Sequence, residues 1–219
     1  MRAAYHSGVA AVEIETPHGP AKAHLHPAAK PTAALILGHG AGGGVDAPDL
    51  VAVTEAAVAE GILVALVEQP YRVAGKSSQP AASTIDDAWR AVVEELVGGE
   101  LAGLPVVTGG RSAGARVACR TAEEDGAVAV LCLAFPLQPP PRKGKPPSPD
   151  RLDELDAVKV PVLVVQGERD RFGMPPPGSR RTVVTVPGDH SLRKDPEAVA
   201  AAVRDWLPGV VAEAAPAGA

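Results

Sequence analysis

The stretch Leu104-Pro105-Val106-Val107-Thr108-Gly109-Gly110-Arg111-Ser112-Ala113-Gly114-Ala115-Arg116-Val117-Ala118-Cys119-Arg120-Thr121-Ala122 decides how this chain is read. Its β-branched opening, Val106-Val107-Thr108, suits a strand buried on both faces. Its close, with Ala115, Val117, Ala118, Cys119 and Ala122, has the spacing of one helix face. Between them Gly110-Arg111-Ser112-Ala113-Gly114 matches G-x-S-x-G, the pattern in which a strand turns sharply into a helix and exposes a serine at the tip. Such a turn holds the serine in sparsely allowed backbone space, so its neighbours must lack bulk, as Gly110, Ala113 and Gly114 do. The helix that follows aims free backbone N–H groups and a positive dipole end at the serine, where negative charge on a substrate oxygen would be stabilised.

Outward from this centre the chain alternates strands and helices. Segments 9–15 and 21–26, separated by Thr16-Pro17-His18-Gly19-Pro20, read as a hairpin. The apolar run 32–37 is a central strand that delivers Gly38-His39-Gly40-Ala41-Gly42-Gly43-Gly44, a loop of almost no side-chain bulk. A helix over 49–59, a strand over 62–67, a polar loop over 68–80 and a helix to Val97 with Ser83 or Thr84 as N-cap follow. Beyond the serine come strands over 127–134, 160–166 and 182–186, a short helix over 150–156 and a closing helix over 196–207. The Pro-rich segment 136–149, with Arg142, Lys143 and Lys145, predicts a loop that is ordered or partly mobile. The pattern predicts a doubly wound, mostly parallel α/β sheet with an antiparallel N-terminal hairpin, formed by a single domain over 1–208 with a frayed tail over 209–219.

Open sheets of this kind place their sites at the C-terminal ends of the parallel strands. There stand the glycine loop 38–44, Ser112, Asp170 and His190. A serine hydroxyl needs a base, and the base needs a carboxylate to fix its tautomer. The order Ser, Asp, His is the one expected for a G-x-S-x-G serine on such a sheet. Glu168 is the nearest rival acid but sits closer to the strand end, and His39 is the rival histidine but precedes the serine and is expected to brace the glycine loop. Backbone N–H groups of Ala113 and of Ala41 or Gly42 are the expected oxyanion donors. His39, Tyr71, Arg72, Arg111 and Phe135 are candidate pocket residues, with Tyr71, Arg72 and Arg111 able to form a positive rim. A phosphate-cradle reading of 38–44 ranks lower, because the spacing fits neither G-x-x-x-x-G-K-[ST] nor G-x-G-x-x-G. His24 and His26 share one strand face without a third ligand, so no metal and no cofactor is expected.

Composition narrows the partners. The 219 residues are enough for one well-cored domain, with 46% hydrophobic and 21% charged residues. A net charge of −5 argues against nucleic acid and against an anionic membrane surface. No basic stretch precedes an apolar run near residue 1, and no apolar run is long enough to span a bilayer. Cys119 and Cys132 both fall in core positions, which points to a reducing cytoplasm. The chain is expected to act as a monomer or homodimer.

With these residues in hand the chain resembles an α/β-hydrolase. More narrowly it is similar to small cap-less bacterial hydrolase-like proteins related to the Tex30 and KANSL3 domains, near dienelactone hydrolases. The stretches that carry the resemblance are 37–44, 109–118, 135–137, 165–173 and 188–192, and Ala113 and Ala115 depart from the Met and Gly it leads one to expect. The resemblance implies Ser112 as nucleophile, Asp170 as acid and His190 as base, with no helical lid at 135–149. The expected activity is hydrolysis of a small or exposed carboxylic ester or thioester through an acyl-enzyme, with a shallow, open mouth. Serine at position 112, where dienelactone hydrolases carry cysteine, argues against that narrower reaction. The alternative is a catalytically silent binding protein that docks through 136–149.

Overall fold

The computed structural model describes residues 9–139, 144, 146 and 148–214. Eight strands form one sheet: β1 (Ala10–Ile14), β2 (Ala21–His26), β3 (Ala33–Gly38), β4 (Ile62–Glu68), β5 (Val106–Arg111), β6 (Ala129–Leu133), β7 (Val162–Gly167) and β8 (Arg181–Val186). Their spatial order is β1-β2-β4-β3-β5-β6-β7-β8. The hairpin β1–β2 is antiparallel and joins β4 antiparallel, while β4, β3 and β5 to β8 run parallel. The doubly wound architecture expected from the alternating pattern is the one observed.

The two-residue period of the strands sorts the core into two faces. In β3, Leu35 and Leu37 pack with α1 (Pro48–Ala59) and α6 (Pro196–Ala214), where Leu50, Val53, Val203 and Leu207 are buried. Ala34 and Ile36 turn to the other face and meet α3 (Ala82–Gly98) through Trp89, Val92 and Leu96. Farther along that face, Cys132 and Val164 pack with α4 (Ala113–Thr121) and α5 (Leu152–Asp156). Arg120 grips Asp86 of α3 with two hydrogen bonds of 2.8 and 2.6 Å, and Arg116 reaches Glu154 of α5, so α4 is fixed from both sides.

Three expectations need correction. The loop over 68–80 holds a short helix, α2 (Pro70–Val73), opened by Pro70, whose fixed φ suits a first helical turn. Helix α3 starts at Ala82 with Ala81 as N-cap and no side-chain cap, so neither Ser83 nor Thr84 caps it. Ala81 and Ala82 follow Pro80, and alanine is the strongest helix former. The closing helix, expected to end at Leu207, continues through Pro208 to Ala214. An interior proline costs about 3 kcal/mol. Burial of Val210 and Val211 contributes about 1.5–3 kcal/mol each, which is enough to carry the helix on. Residues 209–214 of the expected tail are therefore helical, and 215–219 lie outside the described residues, as do 140–143, 145 and 147 of the Pro-rich loop.

Candidate active site

β5 runs in the middle of the sheet, between β3 and β6, and delivers Ser112 at its end. Ser112 has φ +53° and ψ −104°, a conformation rarely adopted outside glycine. Strain of that kind costs on the order of 1–3 kcal/mol and persists where surrounding structure enforces it. Here the Ser112 amide donates to the Leu133 carbonyl at 2.8 Å, extending the β5–β6 ladder through the bend. Gly114 then passes over the end of β3, where a Cβ would lie 2.4 Å from the Gly38 oxygen. The space that glycine leaves lets α4 start directly behind the serine.

The loops after β7 and β8 are stitched together. Glu168 N–H donates to Val186 O and Arg169 N–H to Gly188 O, both at 2.9 Å. A Cβ on Gly167 would stand 2.4 Å from Asp189 O, so the two loops meet at backbone contact. This brings Asp170 and His190 side by side. His190 Nδ1 lies 2.8 Å from Asp170 Oδ2, and His190 Nε2 lies 2.9 Å from Ser112 Oγ. A carboxylate can only accept here, so Nδ1 carries the proton and Nε2 is left to accept from the serine hydroxyl. Three residues expected from the sequence thus form one hydrogen-bonded chain.

The acid is held firmly. Asp170 is 1% exposed at its side chain. Its Oδ2 accepts a second bond from Gln166 Nε2 at 2.8 Å, and its Oδ1 accepts the Phe172 amide at 2.9 Å. Gln166 Nε2 also lies within hydrogen-bond distance of the carbonyls of Phe135 and Gly173, at 3.0 and 2.9 Å. The Phe172 ring sits edge-on to His190 with centroids 4.4 Å apart. Neither Gln166 nor Phe172 was foreseen. An amide in the otherwise aliphatic Val162-Leu163-Val164-Val165-Gln166 strand was the signal for the first.

The rivals lie elsewhere. Glu168 is 47% exposed and faces Arg169 and Lys194. Asp189 accepts the amide and hydroxyl of Ser191, which hold its carboxyl below the ordinary range. Both ring nitrogens of buried His39 are taken by backbone: Nδ1 donates to Gly40 O at 2.8 Å, and Nε2 accepts Gln69 N–H at 3.1 Å. Burial lowers its pKa, so His39 is a neutral brace. His24 pairs with Glu68 at 2.9 Å, and among the described residues no group of three or more His, Cys, Asp or Glu is placed to hold a metal.

The pocket expectations divide. Tyr71 is buried and its hydroxyl donates to Ala41 O at 2.9 Å. Arg72 is half-buried and donates to Lys76 O. Phe135 is not a pocket wall: its ring is fully buried in the core beside α4 and α5, because the chain turns inward after β6. Arg111 is not a rim charge either. Its Nε lies 2.9 Å from Asp49 Oδ2, off the axis of a linear hydrogen bond, and its Nη2 donates to His190 O at 3.0 Å. Asp49 is fully buried at the first turn of α1, and burial raises its pKa against the pull of Arg111. A cavity of about 240 Å³ opens beside Tyr71 and Lys76, but Ser112, Asp170 and His190 do not line it.

Residues 31–200 match the family described as "Alpha/beta hydrolase domain". No curated protein matches the chain in sequence. Among solved structures it is similar to a lidless α/β serine hydrolase from Xanthomonas campestris, at 21% identity and a TM-score of 0.71, covering 98% of this chain and 100% of that one. Est1E from Butyrivibrio proteoclasticus is 19% identical with a TM-score of 0.75, covering 92% and 99% of the two chains, and has been solved with ferulic acid bound. A dienelactone hydrolase from Anabaena variabilis is 17% identical with a TM-score of 0.73, covering 92% and 97%. The shared architecture is the α/β-hydrolase fold.

Proposed function

The chain belongs to the alpha/beta hydrolase family, and on that premise we propose that it is a serine hydrolase of small or exposed carboxylic esters or thioesters. The observation that carries this reading is the Ser112–His190–Asp170 chain of hydrogen bonds at 2.9 and 2.8 Å, headed by a serine in a strained turn. Ser112 Oγ attacks the acyl carbon while its proton passes to His190 Nε2. The carbonyl oxygen becomes negative and is received by the Ala113 amide with that of Ala41 or Gly42. Collapse breaks the bond to the leaving alkoxide or thiolate, which takes the proton from His190 and departs, leaving acyl-Ser112. Water then attacks the ester carbon, gives its proton to His190, and the released serine takes it back as the acid leaves. Asp170 stays ionised throughout and stabilises the imidazolium.

A small-molecule substrate, a cytoplasmic location and a monomeric or homodimeric state complete the proposal; among the described residues no helix is long and apolar enough to cross a membrane. Narrower kinship with the Tex30-like group is part of the same reading. The test is incubation with a fluorophosphonate and measurement of intact mass. One adduct, lost in Ser112→Ala, supports the reading. An unlabelled wild type, inert toward p-nitrophenyl esters of short and medium chain, refutes it and returns the chain to the binding-protein alternative.

A further inference from the structure

The outer part of the glycine loop after β3, at Gly42 and Gly43, is held by hydrogen bonds rather than by packing. Gly43 N–H donates to Gly40 O at 3.1 Å and closes a four-residue turn with Ala41 and Gly42 at its centre. A Cβ added at Gly42 would meet nothing within 4 Å, and one at Gly43 would meet only the Gly40 oxygen at 3.9 Å. Gly42 does not have a positive φ, so the turn is of the first type rather than the second. Glycine at the third position of a turn is compatible with both types, which differ by a flip of the central peptide. In this chain the central peptide joins Ala41 C=O to Gly42 N–H. A flip would exchange the directions of its donor and acceptor, and would aim a carbonyl where the Gly42 amide now points.

One side chain selects between the two. The Tyr71 hydroxyl donates to Ala41 O at 2.9 Å. Carbonyl and amide of a trans peptide point in opposite directions, so fixing the first fixes the second. Tyr71 is itself anchored: it lies in α2, its ring meets His39 edge-on at 5.8 Å, and its carbonyl accepts Lys76 N–H. The preceding peptide is secured separately, because Gly40 O accepts from both His39 Nδ1 and Gly43 N–H. We propose that Tyr71 is a positioning residue that locks the Ala41–Gly42 peptide in the orientation that aims the Gly42 amide at the oxyanion. This rests on the serine hydrolase reading above. Burial also raises the phenol pKa, which keeps it a donor across the working range.

The test compares wild type, Tyr71→Phe and the double variant Tyr71→Phe/Gly42→Ala on a p-nitrophenyl ester. Tyr71→Phe keeps the ring against His39, and its thermal midpoint reports folding. The expected result is a kcat lowered about tenfold, the order of one net hydrogen bond, with KM within about twofold. Alanine at position 42 disfavours the positive φ of the flipped turn, so the double variant should regain most of the lost kcat. A simple loss of packing at Tyr71 would not be rescued this way. Tyr71→Phe with kcat within about twofold of wild type, or a double variant no faster than the single, overturns the proposal while leaving the hydrolase reading intact. A wild type that neither labels at Ser112 nor turns over ester overturns both.

Discussion

Breaking the Arg111–Asp49 pair should give two differently pH-dependent losses of stability. Asp49 is fully buried and the Arg111 side chain is 16% exposed. At 2.9 Å and an effective dielectric of about 20, their gross attraction is on the order of 6 kcal/mol. Most of that offsets desolvation, so the measurable quantity is the cost of stranding one partner, about 3–5 kcal/mol. Asp49→Asn strands a guanidinium that cannot deprotonate, and the loss should hold across pH. For a domain of this size it should lower Tm by about 6–20 °C. Arg111→Met strands a carboxylate that can take up a proton. Burial already raises the Asp49 pKa above 3.8, and without Arg111 it rises further. A carboxyl whose folded pKa exceeds its unfolded value loses stability as pH rises between the two. Arg111→Met should therefore be more destabilised at about pH 7.5 than at about pH 4, by up to about 1.4 kcal/mol per pH unit between the unfolded and folded values. The apolar double variant Asp49→Leu/Arg111→Met, which strands neither partner, should recover to within about 1 kcal/mol of wild type. Urea denaturation at the two pH values measures all three. An Asp49→Asn cost below about 1 kcal/mol, or an Arg111→Met cost that does not change with pH, would refute the argument.

Two further outcomes are expected. Asp170→Asn should lower kcat on a p-nitrophenyl ester by about 10³–10⁴-fold while leaving the fold intact, because an amide in that place favours the wrong tautomer of His190; initial rates and circular dichroism check both halves. Burial holds the His39 pKa below 6.5, so its neutral form contributes stability that is complete above pH 6.5 and fades as pH falls from there toward the lowered folded pKa. Wild type should thus lose stability on acidification through that window, and His39→Gln should lose less over the same interval by urea titration.

Much of this fold is written in local patterns. Apolar runs bounded by Gly and Pro locate the central strands β3, β4, β6 and β7 within about two residues, because burial on both faces favours unbroken apolar sequence, and the alternating segments 9–15 and 21–26 locate the edge hairpin. The elbow at Ser112 was equally legible, since only small residues fit a turn that tight. The failures were of a different kind. The extension of α6 through Pro208 reversed a sound local rule, and α2 was hidden in a stretch without periodicity.

Sequence alone determined which residue types could do the chemistry and the order in which the sheet would present them. Ser112, Asp170 and His190 are named by strand ends, and a parallel sheet collects its strand ends on one edge whatever the details. What fills the space between those strand ends was left to the tertiary structure. Gln166 on the Phe135 carbonyl, Arg111 drawn away from solvent to Asp49, Phe135 turned into the core beside α4 and α5, and Tyr71 on the Ala41 carbonyl all join residues far apart in the chain. Such pairings depend on distances across the sheet and between loops, set by how helices pack on its two faces, and no periodicity within a segment encodes them.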